Sequence, residues 1–291
     1  MKKIDFNRNH KNNFDFKRFI SAALKEDTGD GDHTTLSTIP GNKSGKMELK
    51  VKDIGIISGI EASRMIFLQV DQKIKFKRLI TDGSAVKPGD VAFIVSGNMR
   101  KLLTCERLVL NIMQRMSGIA TYTRYISGLC AGTKVKILDT RKTTPGFRFF
   151  EKWAVKTGGG ENHRYGLFDM ILIKDNHIDC AGGISKAIDL AGNYLKIKKK
   201  KLKIEVEARS IADVLEILKN GKANRILLDN FSPATAKEAV KLINGKMETE
   251  CSGGITDKNI LEFAKTGVNY ISVGALTHQV KSMDLSLKFF E

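Results

Sequence analysis

Apolar residues recur along this chain in two different rhythms, and the change between them divides it. Phe16, Phe19, Ile20 and Ala23 fall at helical spacing and predict a helix over 15–25. Clustered Gly, Asp and Thr at 26–35 (EDTGDGDHTT) predict a capped loop. From 45 to 97 the pattern shortens. Residues 46–51 and 74–79 alternate, 55–58 and 91–95 are apolar runs, and a helix is predicted over 60–70. Asp82-Gly83 and Lys87-Pro88-Gly89-Asp90 are turn signals. This stretch reads as a small α+β unit with an antiparallel sheet. Residues 102–129 then read as one long helix or two adjoining ones, with Gly118 as a candidate kink.

After Gly132 strands alternate with helices. Strands are predicted to begin near Lys134, Asp169, Lys203, Asn224, Glu248 and Asn269, and the last three spacings suit a minimal βα unit. Such alternation implies parallel strands with right-handed crossovers. Six strands can be counted where a closed barrel needs eight, so an incomplete barrel is expected. The predicted fold class is therefore α/β: an N-terminal α+β sandwich domain over 1–115 and an open β/α barrel over 116–277. A tail, 278–291, follows the last strand.

A chain of 291 residues, 42% of them hydrophobic, can bury one large or two modest cores. No run reaches the roughly 18–20 apolar residues of a membrane span. The first residues are positive but lack an apolar core and a small-residue cleavage site, so no secretory signal is expected. Residues 1–13 read as a polar, loosely held segment. Cys105, Cys130, Cys180 and Cys251 are far apart and form no CxxC, which favours reduced thiols and a cytoplasmic location over disulfides or a metal.

Net charge is +17, from 49 basic and 32 acidic residues. That balance can signal nucleic acid, but the aromatics are not interleaved with the cations and no nucleic-acid module is recognisable. The run KIKKKKLK at 196–203 reads as a solvated loop before a strand. The excess charge would steer anionic substrates towards a cleft.

The chemistry gathers at strand ends, where parallel α/β folds bind their ligands. Arg141-Lys142 follows the apolar pair Ile137-Leu138, and Lys174 follows the run 170–173. His163-Arg164 lies between them, after a triple glycine at 158–160. Arg offers a forked donor to carboxylate or phosphate and Lys a point charge, so a pocket for a polyanionic small molecule is expected. Glu207 and Asp229 end two later strands and suit Mg²⁺ or ribose hydroxyls. A helix cap, or a salt bridge to Arg209 or Lys174, is the plain alternative. Glu205 points to the same face two residues earlier. Ser252-Gly253-Gly254 and Gly274-Ala275 follow the last two strands. Glycines there let backbone amides approach a phosphate, with a helix over 257–265 adding its N-terminus.

TRKTTPG (140–146), HRYGL (163–167) and IKDNHI (173–178) resemble the quinolinate phosphoribosyltransferases, the carboxylating nicotinate-nucleotide pyrophosphorylases. ERLVLNIMQRMSGIAT (106–121) resembles the helix joining that family's two domains. The resemblance runs from about residue 27 to 277. It implies an open barrel of about seven strands and a tail packed back on the N-terminal domain. It also implies transfer of phosphoribosyl from phosphoribosyl pyrophosphate to quinolinate with decarboxylation, giving nicotinate mononucleotide for NAD biosynthesis. Arg107, Arg141, Lys142, His163, Arg164 and Lys174 match the family's basic binding positions, and Lys142 lies nearest both substrates. Glu207 and Asp229 match the residues beside ribose and Mg²⁺. Ser252, Gly253, Gly254, Gly274 and Ala275 match the phosphate loops. At least a homodimer follows, with Arg107 completing the neighbouring subunit's site. The alternatives are a molybdenum-transport-linked relative of the same fold and a non-catalytic, basic nucleic-acid-binding protein.

Overall fold

The structure, a computed structural model, describes residues 14–291, so the polar stretch at 1–13 lies outside the described residues. Its elements begin with α1 (Phe16–Thr28), capped by Asp15, which accepts the Arg18 N–H. The loop expected after it is shorter than predicted. Asp32 accepts the Thr35 N–H and starts a six-residue helix, α2 (His33–Thr38), too short to leave a period in the sequence. There follow β1 (Ser44–Val51), β2 (Gly55–Ile56), α3 (Ile60–Val70), β3 (Lys75–Arg78), β4 (Ala85–Val86), β5 (Val91–Asn98) and α4 (Met99–Leu129). The βα portion contributes β6 (Lys136–Leu138), α5 (Arg148–Gly158), β7 (Ile171–Ile173), α6 (Asp175–Ala181), α7 (Ile184–Ile197) and β8 (Ile204–Ala208). It continues through α8 (Ile211–Asn220), β9 (Arg225–Asp229), α9 (Pro233–Ile243), β10 (Glu248–Ser252), α10 (Ile260–Ala264), β11 (Tyr270–Ser272) and α11 (Ala275–His278). The tail ends in β12 (Leu285–Phe290).

One compact unit joins the chain up to Arg124 with Thr144–Gly159 and Gln279–Glu291. The break between compact units falls inside α4, after Arg124, and α5 groups with this unit. Its antiparallel sheet runs β12-β1-β5-β3. Met47, Leu49 and Val51 alternate inward along β1, the period of a strand with one buried face. Phe67 of α3 meets Phe76 and Phe93 from the sheet. Gly59 cannot cap α3 with a side chain. The half-buried Asp82 does so instead, accepting from the N–H groups of Ile60 at 2.9 Å and Glu61 at 3.3 Å.

The long α4 continues through Gly118. A Cβ there would lie 2.2 Å from the Lys281 carbonyl, so the glycine admits the tail segment instead of marking a kink. In α5, Phe149 and Phe150 are buried against Phe14, Phe16 and Phe19. Gly159, at φ 100°, ends the helix in the left-handed conformation that glycine adopts without strain.

The other unit, Tyr125–Thr143 with Gly160–His278, holds six parallel strands in the order β6-β11-β10-β9-β8-β7. β6 and β7 form its two ends, as in an open barrel. The expected seventh strand is reduced to a single parallel bridge between Leu138 and Glu161. β8 is buried along its whole length, as a strand covered on both faces must be. Same-face residues run from deep to mouth as Glu205 and Glu207 on β8, Arg225, Leu227 and Asp229 on β9, and Glu248, Glu250 and Ser252 on β10.

Candidate active site

Each parallel strand delivers polar groups where it ends. After β6 comes Asp139, fully buried, then Thr140, whose hydroxyl accepts the Lys142 N–H at 3.0 Å and shapes the turn. Arg141 and Lys142 are exposed. The Thr277 hydroxyl donates to the Lys142 carbonyl at 2.7 Å and so ties this turn to α11. A Cβ on Gly274 would lie 3.1 Å from Cδ of Lys142, so the lysine stem runs over the Gly274-Ala275 turn.

Arg164 is half-buried and donates from Nη1 to the Met170 carbonyl at 3.3 Å. Burial, and then the like charge of Arg141, lower its pKa from the ordinary guanidinium value. An anion placed where the charge of Arg141 reaches Arg164 would relieve that repulsion. Lys174, at the end of β7, is exposed, and its Nζ lies 3.7 Å from Glu207 Oε2. Arg209, the other partner considered for Glu207 and Asp229, pairs with Asp179 at 3.3 Å.

Glu207 is buried, and burial followed by the charge of Asp229 raises its pKa, with Lys174 opposing. Asp229 is held at both oxygens. The Ser252 hydroxyl donates to Oδ1 at 2.6 Å and the Asn230 amide to Oδ2 at 2.7 Å. Two neighbouring carboxylates, one of which raises the proton affinity of the other, suit a hard cation. Magnesium takes one or two protein carboxylates and fills its shell with water and phosphate oxygens.

Gly253 (φ 88°) and Gly254 (φ 61°) follow Ser252 in left-handed conformations. A Cβ on Gly253 would lie 2.1 Å from Oδ1 of Asn230, itself left-handed at φ 56°. The helix expected over 257–265 is cut to α10, which starts only at Ile260. Whatever this turn offers an anion therefore comes from its own amides and not from a helix terminus.

His163 is placed differently from the other cations. Its side chain is only 7% exposed, with Nε2 3.1 Å from Glu205 Oε2 and 3.4 Å from Glu250 Oε1. Nδ1 accepts the Arg164 N–H at 2.7 Å, and the His163 N–H donates to Asp139 Oδ1 at 2.9 Å. Burial works against a charged ring and the two carboxylates favour one, but Nδ1 accepts the Arg164 N–H, so in this arrangement the ring carries a single proton, on Nε2. Arg225 lies 2.8 Å from Glu250 and 3.9 Å from Glu205, with its guanidinium 4.0 Å from the centre of the Tyr270 ring. Burial would raise Glu250, but His163 and Arg225 hold it below the ordinary carboxylate value.

The donor atoms of His163, Glu205 and Glu250 lie within 4.8 Å of one another, a spacing a metal could use. Arg225 already supplies the compensating charge, and the amide on Nδ1 leaves the ring proton on Nε2, where a metal would have to bind. The group is an ion-pair cluster. Sequence reasoning set Glu205 aside and passed over Asp139, Arg225, Asn230 and Glu250. The Glu-x-Glu spacing at 205/207 and again at 248/250 was the available signal.

Comparison with known proteins gives this constellation its context. Residues 32–117 match the family described as quinolinate phosphoribosyl transferase, N-terminal domain, and residues 119–288 match the corresponding C-terminal domain. The chain belongs to the quinolinate phosphoribosyltransferase family. It is 46% identical over 290 residues to quinolinate phosphoribosyltransferase [decarboxylating] 1 of Nicotiana glauca, covering 94% of this chain and 82% of that relative. It is 41% identical over 280 residues to the probable nicotinate-nucleotide pyrophosphorylase [carboxylating] of Bacillus subtilis (strain 168), covering 95% and 94%. The crystal structure of NadC from Streptococcus pyogenes superposes with a TM-score of 0.89 at 37% identity, covering 95% of this chain and 97% of that one. These matches do not support a molybdenum-linked or nucleic-acid-binding reading. Among the described residues, no helix is long and apolar enough to cross a membrane.

Proposed function

We propose that the chain transfers the phosphoribosyl group of phosphoribosyl pyrophosphate to the ring nitrogen of quinolinate and releases CO₂, giving nicotinate mononucleotide and pyrophosphate. The observation that carries this reading is that the charge of Arg141 reaches Arg164, with Arg141 adjoining the Lys142 turn that Thr277 holds. A pyridine dicarboxylate brings two negative charges and the cosubstrate several more. Arg141, Arg164 and Lys174 would take the carboxylates, and Lys142, lying over Gly274, would sit between dicarboxylate and pyrophosphate.

Glu207 and Asp229 would orient the ribose hydroxyls. Mg²⁺ arriving with phosphoribosyl pyrophosphate would be held by the same two carboxylates and neutralise the departing pyrophosphate. The turns at Ser252-Gly253-Gly254 and Gly274-Ala275 would bind phosphate through their amides. The ring nitrogen attacks the ribose carbon as the bond to pyrophosphate breaks, so no protein nucleophile is needed. The positive ring nitrogen then stabilises the electron pair left at C2 when the carbon–carboxylate bond breaks, and solvent supplies a proton to that pair.

A homodimer in the cytoplasm is part of the proposal. Arg107 is exposed on α4 and would complete the pocket of a second copy. The direct test is product formation from quinolinate, phosphoribosyl pyrophosphate and Mg²⁺, followed by chromatography. Product made equally well from nicotinate, or without Mg²⁺, would defeat the reading. R141A and K142A should lose nearly all turnover while remaining folded. Mixing inactive R107A with inactive K142A should restore part of the activity, because a mixed dimer carries one intact site; no restoration would remove the shared-site proposal.

A further inference from the structure

We infer that Glu205 and Glu250, clamped by Arg225, are positioning residues of the dicarboxylate pocket, acting through His163 on the main chain of Arg164. The inference rests on the proposed role of Arg164 in binding the substrate.

Both ring nitrogens of His163 are turned towards protein. Nε2 faces Glu205 and Glu250, and Nδ1 receives the Arg164 amide. The His163 amide is meanwhile fixed to Asp139, the residue that follows β6. The 163–164 segment is thus held from below by β8 and β10 and from the side by the turn that carries Arg141 and Lys142. An imidazole used in this way sets where the next residue's guanidinium begins, and therefore how it meets Arg141.

Mere core packing does not account for the cluster. Barrel interiors are usually filled with branched aliphatic side chains, and a buried ion pair is often less stable than an apolar replacement. Here Glu205 and Glu250 are both 1% exposed. Neither Glu205 oxygen nor Nε of Arg225 finds a hydrogen bond of good geometry. Charge proximity holds them, and around them stand Glu248 at 3.3 Å from Arg225, Tyr270, whose hydroxyl donates to Glu248 at 3.0 Å, and Ser272 beside Glu250. Such a cluster gives orientation rather than stability.

The test uses the full chain with two isosteric variants, E250Q and E205Q, and the charge-balanced pair R225M/E250Q, which remains foldable if a single substitution does not. Steady-state kinetics with each substrate varied, and the ¹⁵N resonances of the His163 ring without substrate, are measured for each. The KM for quinolinate should rise ~10- to 100-fold, the range seen when a supporting partner of a binding group is removed, with little change in the KM for phosphoribosyl pyrophosphate. The His163 ring signals should move in the same variants.

A moved ring signal with an unchanged quinolinate KM would overturn the inference, since the cluster would then hold His163 without shaping the pocket. So would a parallel loss in both KM values together with a lowered Tm, the mark of a structural role alone. Absence of product from the wild-type chain would instead remove the functional reading, while the ring signals would still report whether the two acids hold His163.

Discussion

Replacing Gly253 with alanine separates backbone strain from the contact that holds Asp229. Gly253 sits at φ 88°, where an L side chain costs about 1–2 kcal/mol. The new Cβ would also lie 2.1 Å from Oδ1 and 2.6 Å from Cγ of Asn230, so that side chain must leave its place. Asn230 donates to Asp229 Oδ2 at 2.7 Å, and losing a hydrogen bond to a charged group costs about 1.5–3 kcal/mol. Together G253A should destabilise by about 3–5 kcal/mol and lower Tm by roughly 6–15 °C. Freed of one anchor, Asp229 should also cost about 100-fold in kcat/KM for phosphoribosyl pyrophosphate.

Gly254 is the internal comparison. It has φ 61° but open space around it, so G254A should cost only the strain of about 1–2 kcal/mol. In G253A/N230G the clash is gone, because glycine accepts the φ of 56° at residue 230. Stability should recover relative to G253A while activity stays low, since Asp229 still lacks its partner. The measurements are thermal denaturation and kinetics with the cosubstrate varied. G253A behaving like G254A, or G253A/N230G regaining wild-type activity, would refute the claim that Asn230 orients Asp229.

Other outcomes follow from the same geometry. Glu151 is fully buried and accepts from Arg115 at 2.8 Å and from the Thr144 amide and hydroxyl at 3.1 and 2.9 Å; E151A should destabilise by about 2–4 kcal/mol, discounted because Arg115 stays 26% exposed, as measured by urea denaturation. Phe150 is fully buried among the rings of Phe19, Phe147 and Phe149, so F150A should cost about 3–5 kcal/mol, and a loss under 1 kcal/mol would contradict this packing. Burial pushes the thiols of Cys105 and Cys251 up to about 12, so about one part in 10⁴ is thiolate at pH 8. Burial raises Cys130 as well, whereas Cys180 is exposed. A disulfide reagent should therefore titrate one thiol rapidly in the native protein and four after unfolding.

What the sequence revealed depended on how each feature is encoded. The helix over 60–70 was legible to the residue, because its helical period is bounded by Gly59 and Asp71. The six parallel strands were legible from their spacing. α2 and β4 were not, being too short to establish a period. In the site, Arg141, Lys142, Lys174, Glu207 and Asp229 could be picked out because each follows an apolar run, the mark of a strand end.

Glu205, Arg225 and Glu250 were harder to pick out, for a different reason. A period of two says that neighbouring residues face opposite ways, but not which face is apolar. Acids alternating with less polar residues, as in METECS, are the common pattern of a strand with one solvated face, and in IEVEA the outer glutamate drew attention from the inner one. The barrel reverses the usual sense. Ile204, Val206 and Ala208 take the other face of β8, and the charges point inward. A mouth that gathers Arg141, Lys142, Arg164 and Lys174 concentrates positive charge. Acids placed deeper along the same strands oppose that charge without occupying the space where an anionic substrate would sit. The polar interior and the cationic mouth are thus two parts of one electrostatic arrangement, and only the outer part lies where a strand-end pattern can disclose it.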